Sequence, residues 1–180
     1  FSAWNRNRGR AEVEAAVAGS ELHRALRDVS DHMSLIARGL FRAMGDAWAP
    51  GSPDLGFYRG TYAQINYYEP SQHSAELLQD SHEDAHLLTL IRASAPGLEI
   101  EVDGTFIPAE ADGGDIVVMP GSLLTLMTGG KIKPMYHQVR NNRRRESRCS
   151  LMLFVNPEID QRLELWVRNE TNAGIDIIER

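Results

Sequence analysis

The chain changes character once along its length. Between Ala11 and Met44 it contains no proline and is rich in Ala, Glu, Leu and Arg, whereas after Gly56 it breaks into short apolar runs separated by Gly, Pro and Asp. That switch restricts the fold to a helical layer backing many short strands. In the first part, Leu22, Leu26, Val29, Met33, Ile36, Leu40 and Met44 recur at steps of four and three, which gathers them on one stripe of a helix. Gly19-Ser20 divides a short first helix from this longer one, with Ser20 as N-cap and Glu21 in the first turn. Ala47 to Gly56, carrying Pro50, Gly51, Ser52 and Pro53, ends it.

Eight runs in the second part read as strands: Thr61–Tyr68, Leu87–Ala93, Leu98–Val102, Thr105–Pro108, Asp115–Met119, Leu123–Met127, Tyr136–Val139 and Cys149–Val155. Val102-Asp103-Gly104-Thr105 is expected to be a tight hairpin, because Asp-Gly is a favoured pair for a two-residue turn. Evenly spaced short strands behind one long helix predict a mainly β fold with helical backing, a sandwich or jelly roll. No internal repeat, low-complexity tract or linker interrupts it.

Bulk properties narrow the function. A chain of 180 residues holds one domain with a real core. Its formal charge of -6 argues against nucleic acid as a partner. The basic triplet Arg143-Arg144-Arg145 is read as a solvated turn between strands. No apolar run approaches the roughly 20 residues of a membrane span, and no signal-peptide pattern opens the chain. One cysteine, Cys149, excludes an internal disulfide and fits a reducing compartment, so a cytoplasmic location is expected. Between Arg148 and Ser150 on an alternating strand, Cys149 should face away from their side. The sequence opens at Phe1 without an initiator Met and runs through polar residues 5–10, which suggests that more of the native polypeptide precedes it.

The chemistry concentrates in three places. Ser81-His82-Glu83-Asp84 carries an H-x-D, Met135-Tyr136-His137 a second isolated imidazole, and Arg148-Cys149-Ser150 an R-x-S. On a strand, residues i and i+2 share a face. His82 and Asp84 could then reach one metal together while Glu83 turns away, and His137 could join them from a neighbouring strand. Two imidazoles and one carboxylate are the ligand set of a mononuclear non-haem Fe(II) oxygenase, with open positions opposite for a cosubstrate and dioxygen. Arg148 and Ser150 likewise share a face, where a guanidinium fork and a hydroxyl suit a carboxylate. A lone arginine among Leu151, Leu153 and Val155 would be costly unless paired. Of the other histidines, His23 and His32 are assigned to helix packing or surface, and His73 to a solvated loop. His86 is the competitor. A zinc-binding helix of the H-E-x-x-H type built on His82 and His86 is set aside, and His86 is read as a pocket or rim residue on the same strand face.

Several segments together resemble the isopenicillin N synthase-like family of Fe(II) and 2-oxoglutarate-dependent oxygenases. They are His82-Glu83-Asp84-Ala85-His86-Leu87-Leu88-Thr89-Leu90, Gly97-Leu98-Glu99-Ile100, Gly114 to Gly121, Leu126 to Lys133, His137-Gln138-Val139, and Arg148-Cys149-Ser150 leading to Phe154-Val155-Asn156-Pro157. Upstream, Ile65-Asn66-Tyr67-Tyr68-Glu69-Pro70 resembles the family's N-Y-Y-x-P segment. The resemblance runs from about Tyr62 to Pro157. It implies a double-stranded β-helix (a jelly roll, cupin-like) over residues 57–180, with a C-terminal tail and with residues 1–56 as a helical segment packed on the barrel.

By the same resemblance, His82, Asp84 and His137 are the iron ligands, and Arg148 and Ser150 bind the distal carboxylate of 2-oxoglutarate. Asn66 and Tyr68 help hold that cosubstrate, and Tyr62, Gln64 and His86 line the substrate pocket. The implied cofactors are Fe(II) and 2-oxoglutarate, and the implied partners are dioxygen and a small organic substrate, with no nucleic acid and no membrane. The implied reaction is hydroxylation, desaturation or ring closure, often in secondary metabolism. Two alternatives stay open: an Fe(II) oxidase of the isopenicillin N synthase type, whose R-x-S grips substrate and which uses no 2-oxoglutarate, and a non-catalytic cupin-like binding module. The family's N-terminal region has no counterpart here, and the tail with Leu163, Leu165, Trp166 and Val167 matches no family residue.

Overall fold

The computed structural model describes residues 2–5, 8–52, 55–69, 75–112, 114–141, 147–158 and 163–172. In chain order the elements are β1 (Ser2–Trp4), α1 (Ala11–Val17), α2 (Glu21–Trp48), β2 (Tyr62–Tyr68), β3 (Leu77–His82), β4 (Leu88–Ala93), β5 (Leu98–Val102), β6 (Thr105–Pro108), β7 (Val117–Pro120), α3 (Ser122–Met127), β8 (His137–Arg140) and β9 (Arg148–Val155). The strands form a five-stranded sheet in the order β1-β2-β9-β4-β7 and a four-stranded sheet in the order β3-β8-β5-β6. All pairings within them are antiparallel. This is the jelly roll that the strand pattern and the resemblance both predict. His73 and Arg143-Arg144-Arg145 lie outside the described residues.

α2 begins where expected, with the Ser20 side chain accepting a hydrogen bond from the His23 backbone N–H at 3.2 Å. It runs to Trp48, four residues beyond Met44. Of the expected stripe, Leu26 and Met33 are buried and Val29 and Met44 pack against the core, whereas Leu22, Ile36 and Leu40 are 59%, 41% and 36% exposed; Ser30, Ala37 and Phe41 complete the buried face. The core-facing side is thus offset from the expected stripe, sharing Leu26, Val29, Met33 and Met44 with it. Ala37 packs in the core beside Met33 and Phe41, while Ser30 accepts a hydrogen bond from Arg8 Nη2 at 3.1 Å, so a small residue and a partnered polar one belong to the buried face.

Two further expectations are corrected. Leu123–Met127 is the short helix α3, with Leu124 and Met127 buried one turn apart. A short apolar run cannot be told from a buried helical turn by periodicity. β3 is absent from the expected strands. Its pairing with β8 shifts register between Leu77 and Gln79 and again between Gln79 and His82, so no clean alternation marks it. The hairpin at Asp103-Gly104 is as expected, with φ of 50° and 79° at its two central residues, the positive values a type I′ turn demands.

Strand alternation gives the five-stranded sheet two different faces. Ala63 on β2, Leu88 and Leu90 on β4, and Leu153 and Val155 on β9 pack with Met33, Ala37 and Phe41 of α2 in one apolar core. The opposite face carries Ile91, Met119, Met152 and Phe154, which meet Leu98 of the other sheet. Residues of the tail close the first core: Leu163 is 4% exposed, and the Trp166 ring lies 6.3 Å from Phe41 and 6.5 Å from Trp48. Its backbone N–H donates to the Met127 carbonyl at 2.9 Å, and Asn172 Nδ2 donates to the Leu126 and Val167 carbonyls, each at 2.7 Å. Among the described residues no helix is long and apolar enough to cross a membrane.

Candidate active site

His82 closes β3, His137 opens β8, and the antiparallel register sets them directly opposite one another. Their rings are 4.3 Å apart. Asp84 is not on a strand: the chain leaves β3 after His82 and bends towards β4, bringing the carboxylate back between the two imidazoles. The expected meeting of His82 and Asp84 occurs, by a turn rather than by strand alternation. One ligand atom from each of the three lies within 4.8 Å of the other two. Nε2 of His82 is 3.7 Å from Asp84 Oδ1, and Nε2 of His137 is 3.9 Å from Oδ2.

The surroundings orient all three groups. His82 Nδ1 donates to the Asp80 carbonyl at 2.8 Å, and His137 Nδ1 donates to the Met135 carbonyl at 3.2 Å. Each bond selects the tautomer whose Nε2 lone pair points towards Asp84. Burial lowers the pKa of His137, outweighing the opposing pull of Asp84, and so keeps that imidazole neutral. Asp84 is oriented by Thr89 on β4, whose hydroxyl donates to Oδ2 at 2.5 Å. The Ser122 N–H donates to the Asp84 carbonyl at 2.9 Å. A Cβ at Gly121 would collide with the His86 carbonyl oxygen and lie 2.6 Å from that of Asp84, so only glycine allows this approach. Two imidazoles turned inward through Nε2, with an oriented carboxylate between them, suit a divalent transition metal.

The site opens into a cavity of about 220 Å³ between the sheets. Its floor follows the β2–β9 register, in which Tyr68 pairs with Arg148, Asn66 with Ser150, Gln64 with Met152 and Tyr62 with Phe154. Just beyond one end, Arg148 is only 5% exposed, and burial lowers its pKa. Its Nε donates to the Ala95 carbonyl at 3.2 Å and its Nη1 to Ser150 Oγ, while the Tyr68 ring lies 5.8 Å from its Cζ. Nη2 is buried with no hydrogen-bond partner, and among the described residues no carboxylate pairs with this guanidinium. Glu99, also buried, shows the opposite condition. Arg140 and Gln138 donate to it at 2.5 and 2.7 Å, and the Arg140 bond foremost holds its carboxyl below the usual range. A buried donor left over beside Ser150 fits a ligand carboxylate. Arg148 also borders a second cavity of about 260 Å³ lined by Ala93 to Leu98, Asp112 and Asp115.

Along the wall, Gln64 Nε2 donates to Asn66 Oδ1 at 2.9 Å. Tyr68 donates to Gln79 Oε1 at 3.2 Å, and Gln79 Nε2 lies 3.3 Å from His82 Nε2. Gln79 escapes sequence reasoning because β3 itself does; its position three residues before His82 is the only signal. At the far end, His86 sits in the bend before β4, not on a strand face with His82. The run His82-Glu83-Asp84-Ala85-His86 does satisfy H-E-x-x-H by count, so sequence alone cannot dismiss a zinc helix. The backbone does, since the segment is not helical and the His86 Nδ1 engages Asn156 Oδ1 at 2.8 Å. Tyr62, His86 and Phe154 form one aromatic cluster lining the cavity. Burial first and the Asp84 charge second raise the Tyr62 pKa, keeping it a neutral phenol. His32 hydrogen-bonds to Asp28 within α2, consistent with a helix-surface role. Cys149 is half-buried on the face opposite Arg148 and Ser150.

Comparison with known proteins matches residues 62–157 to the 2OG-Fe(II) oxygenase superfamily. Gibberellin 2-beta-dioxygenase 3 of Arabidopsis thaliana is 30% identical over 105 residues, covering 56% of this chain and 31% of that protein. Mugineic-acid 3-dioxygenase of Hordeum vulgare is 30% identical over 146 residues, covering 75% of this chain and 42% of its own. The chain therefore spans between about a third and two fifths of the length of these relatives. Among solved structures, the dioxygenase for auxin oxidation 1 from Arabidopsis thaliana, in its complex with 2-oxoglutarate, superposes with a TM-score of 0.68 at 21% identity. That match covers 77% of this chain and 55% of the other, a likeness of fold.

Proposed function

Because this chain belongs to the 2OG-Fe(II) oxygenase superfamily, we propose that it acts as an Fe(II)- and 2-oxoglutarate-dependent dioxygenase on a small organic substrate. His82, Asp84 and His137 would hold the iron, and Arg148 with Ser150 would hold the distal carboxylate of 2-oxoglutarate, beside Asn66 and Tyr68. When bound, the pair supplies oxidation by dioxygen coupled to decarboxylation of 2-oxoglutarate to succinate and carbon dioxide. The chain's own contribution is placement. Thr89 and the carbonyls of Asp80 and Met135 hold the three ligand side chains in their binding forms. Tyr62, Gln64 and His86 line the cavity where a substrate C–H would be presented, and orientation there selects hydroxylation, desaturation or ring closure. The names of the relatives, which refer to gibberellin and mugineic acid, support a small metabolite as substrate class and a role in secondary metabolism. The single free thiol of Cys149 supports a cytoplasmic setting.

The observation that carries this reading is the buried Arg148 Nη2, which has no partner among the described residues. Anaerobic titration of the Fe(II)-loaded protein with 2-oxoglutarate should give a visible metal-to-ligand charge-transfer band, lost in Arg148→Met. Iron binding without any band would overturn the cosubstrate assignment and favour an oxidase whose Arg148 grips substrate.

A further inference from the structure

The aromatic end of the cavity carries a second, independent piece of recognition. Asn156 is pinned by its own bonds: Nδ2 donates to the Gly60 carbonyl at 3.0 Å, and its backbone N–H donates to Thr61 Oγ1 at 3.4 Å. With Nδ2 committed as donor, Oδ1 is the atom turned to His86, 2.8 Å from Nδ1. An amide oxygen only accepts, so the proton of the neutral ring resides on Nδ1 and Nε2 keeps a lone pair. That Nε2 lies 3.5 Å from the Tyr62 hydroxyl, too long for a firm bond. Phe154 packs 4.7 Å from the His86 ring and 4.9 Å from the Tyr62 ring, so the imidazole is held at its edge and along its face.

The charge pattern makes this end selective. The described residues lining the metal cavity include no lysine or arginine, and their one carboxylate is Asp84. Arg148 lies beyond the opposite end, paired along the floor with Tyr68, six residues along β9 from Phe154. An anionic group beside His86 would meet a lone pair with no lysine or arginine among the described lining residues to balance it, and the metal proposed for His82, Asp84 and His137 would be its one counter-charge in the cavity.

We infer that His86, held by Asn156, is a specificity-determining residue that accepts a hydrogen bond from a neutral donor, a hydroxyl or an amide N–H, on a substrate whose apolar body rests against Phe154 and Tyr62. This rests on the proposed active site for its meaning, though binding tests it without turnover. The site therefore discriminates against a carboxylate at this end of the substrate.

The probes are phenol, benzoate and toluene, which share a ring and differ in the group offered. Binding is read from the His86 and Tyr62 resonances in the full chain loaded with diamagnetic Zn(II), with and without 2-oxoglutarate. Phenol should bind at least about fivefold tighter than either of the others, the scale of one hydrogen bond. The ¹⁵N shifts of His86 should report a proton on Nδ1, and Asn156→Leu should release the ring to a mixture of tautomers. His86→Phe keeps a ring against Phe154 and should bring phenol and toluene level. Benzoate binding as well as phenol, a proton on Nε2, or a phenol preference surviving in His86→Phe would each overturn the inference. Absence of 2-oxoglutarate binding in the same samples would count against the proposed function alone and leave the His86 result standing.

Discussion

Alternate residues of β9 face two unlike interiors. Leu151, Leu153 and Val155 point to the α2 layer, where they meet Leu88, Leu90 and Phe41 in a core of apolar side chains. Arg148, Ser150, Met152 and Phe154 point between the sheets, where Arg148 and Ser150 are 5% and 2% exposed, close to the burial of that core, yet one guanidinium nitrogen has no partner among the described residues. Burial on the first side stabilises, by about 1.5–3 kcal/mol for each large side chain. On the second side a buried unpaired donor costs about 1–3 kcal/mol. Low exposure thus means packing on one face and readiness for a ligand on the other, and the helix-backed layer is what allows the cavity to keep unsatisfied groups.

The two interiors would lose their separate roles if the cavity face turned out to carry the fold. Asp84→Ala should abolish Fe(II) binding and turnover while leaving the thermal midpoint of the metal-free protein nearly unchanged. Calorimetry and a turnover assay on the same sample decide it, and a variant with full activity would remove the metal assignment. The converse change lies on the other face. Leu153 is fully buried, and Leu153→Ala should cost about 2–5 kcal/mol in urea unfolding while activity per folded molecule persists. A large loss of metal affinity in that variant would show that the two interiors are not separable.

The same contrast governs how much was legible in the sequence. The apolar strands were legible because alternation is a local property: β5 and β6 fall where the residues place them, and the Asp103-Gly104 turn is specified by two letters. The proposed metal ligands were legible as residue types, but the reason for their meeting was not. Asp84 reaches its partners through a bend set by Gly121 and Ser122, some forty residues on, and no local pattern encodes a contact at that separation. Gln79 was hidden by the register shifts of β3. On α2 the large residues Leu22, Ile36 and Leu40 are exposed, whereas Ala37, with no apolar bulk to mark it, packs in the core, and Ser30 is buried under a hydrogen bond from Arg8, a partner twenty-two residues away.

Arg148→Met sets packing against ligand readiness within one side chain. Removing the unpaired charge should leave stability unchanged or raised, because an apolar group of similar length relieves the desolvation of the guanidinium. Affinity for 2-oxoglutarate should fall about 10- to 100-fold, the worth of a charge-assisted bond. Denaturation and ligand titration on one preparation test both signs, and a destabilised variant with intact affinity would reverse the assignment. Thr89→Val acts one step further from the metal. Losing the hydroxyl bond to Asp84 Oδ2 should weaken metal binding about tenfold, the lower range for groups that orient a ligand, with little change in fold stability.

The smallest effect expected is in pH dependence. Burial lowers the folded-state pKa of His137 from its ordinary value of 6.5, with Asp84 and the Met135 carbonyl resisting only in part. In the metal-free protein the unfolded chain therefore takes up a proton first as pH falls. Stability contributed by the neutral ring is present above about pH 6.5 and is lost progressively as pH drops towards the lowered folded value. His137→Asn, which cannot titrate, should flatten the acid limb of the stability curve over that window. The α2 side offers the control: Leu153 carries no proton, so Leu153→Ala should move the whole curve down without changing its slope. Urea midpoints measured at closely spaced pH values for the two variants separate the outcomes. Parallel curves for both would mean that the His137 imidazole is solvated as freely as in the unfolded chain, contrary to its 7% side-chain exposure.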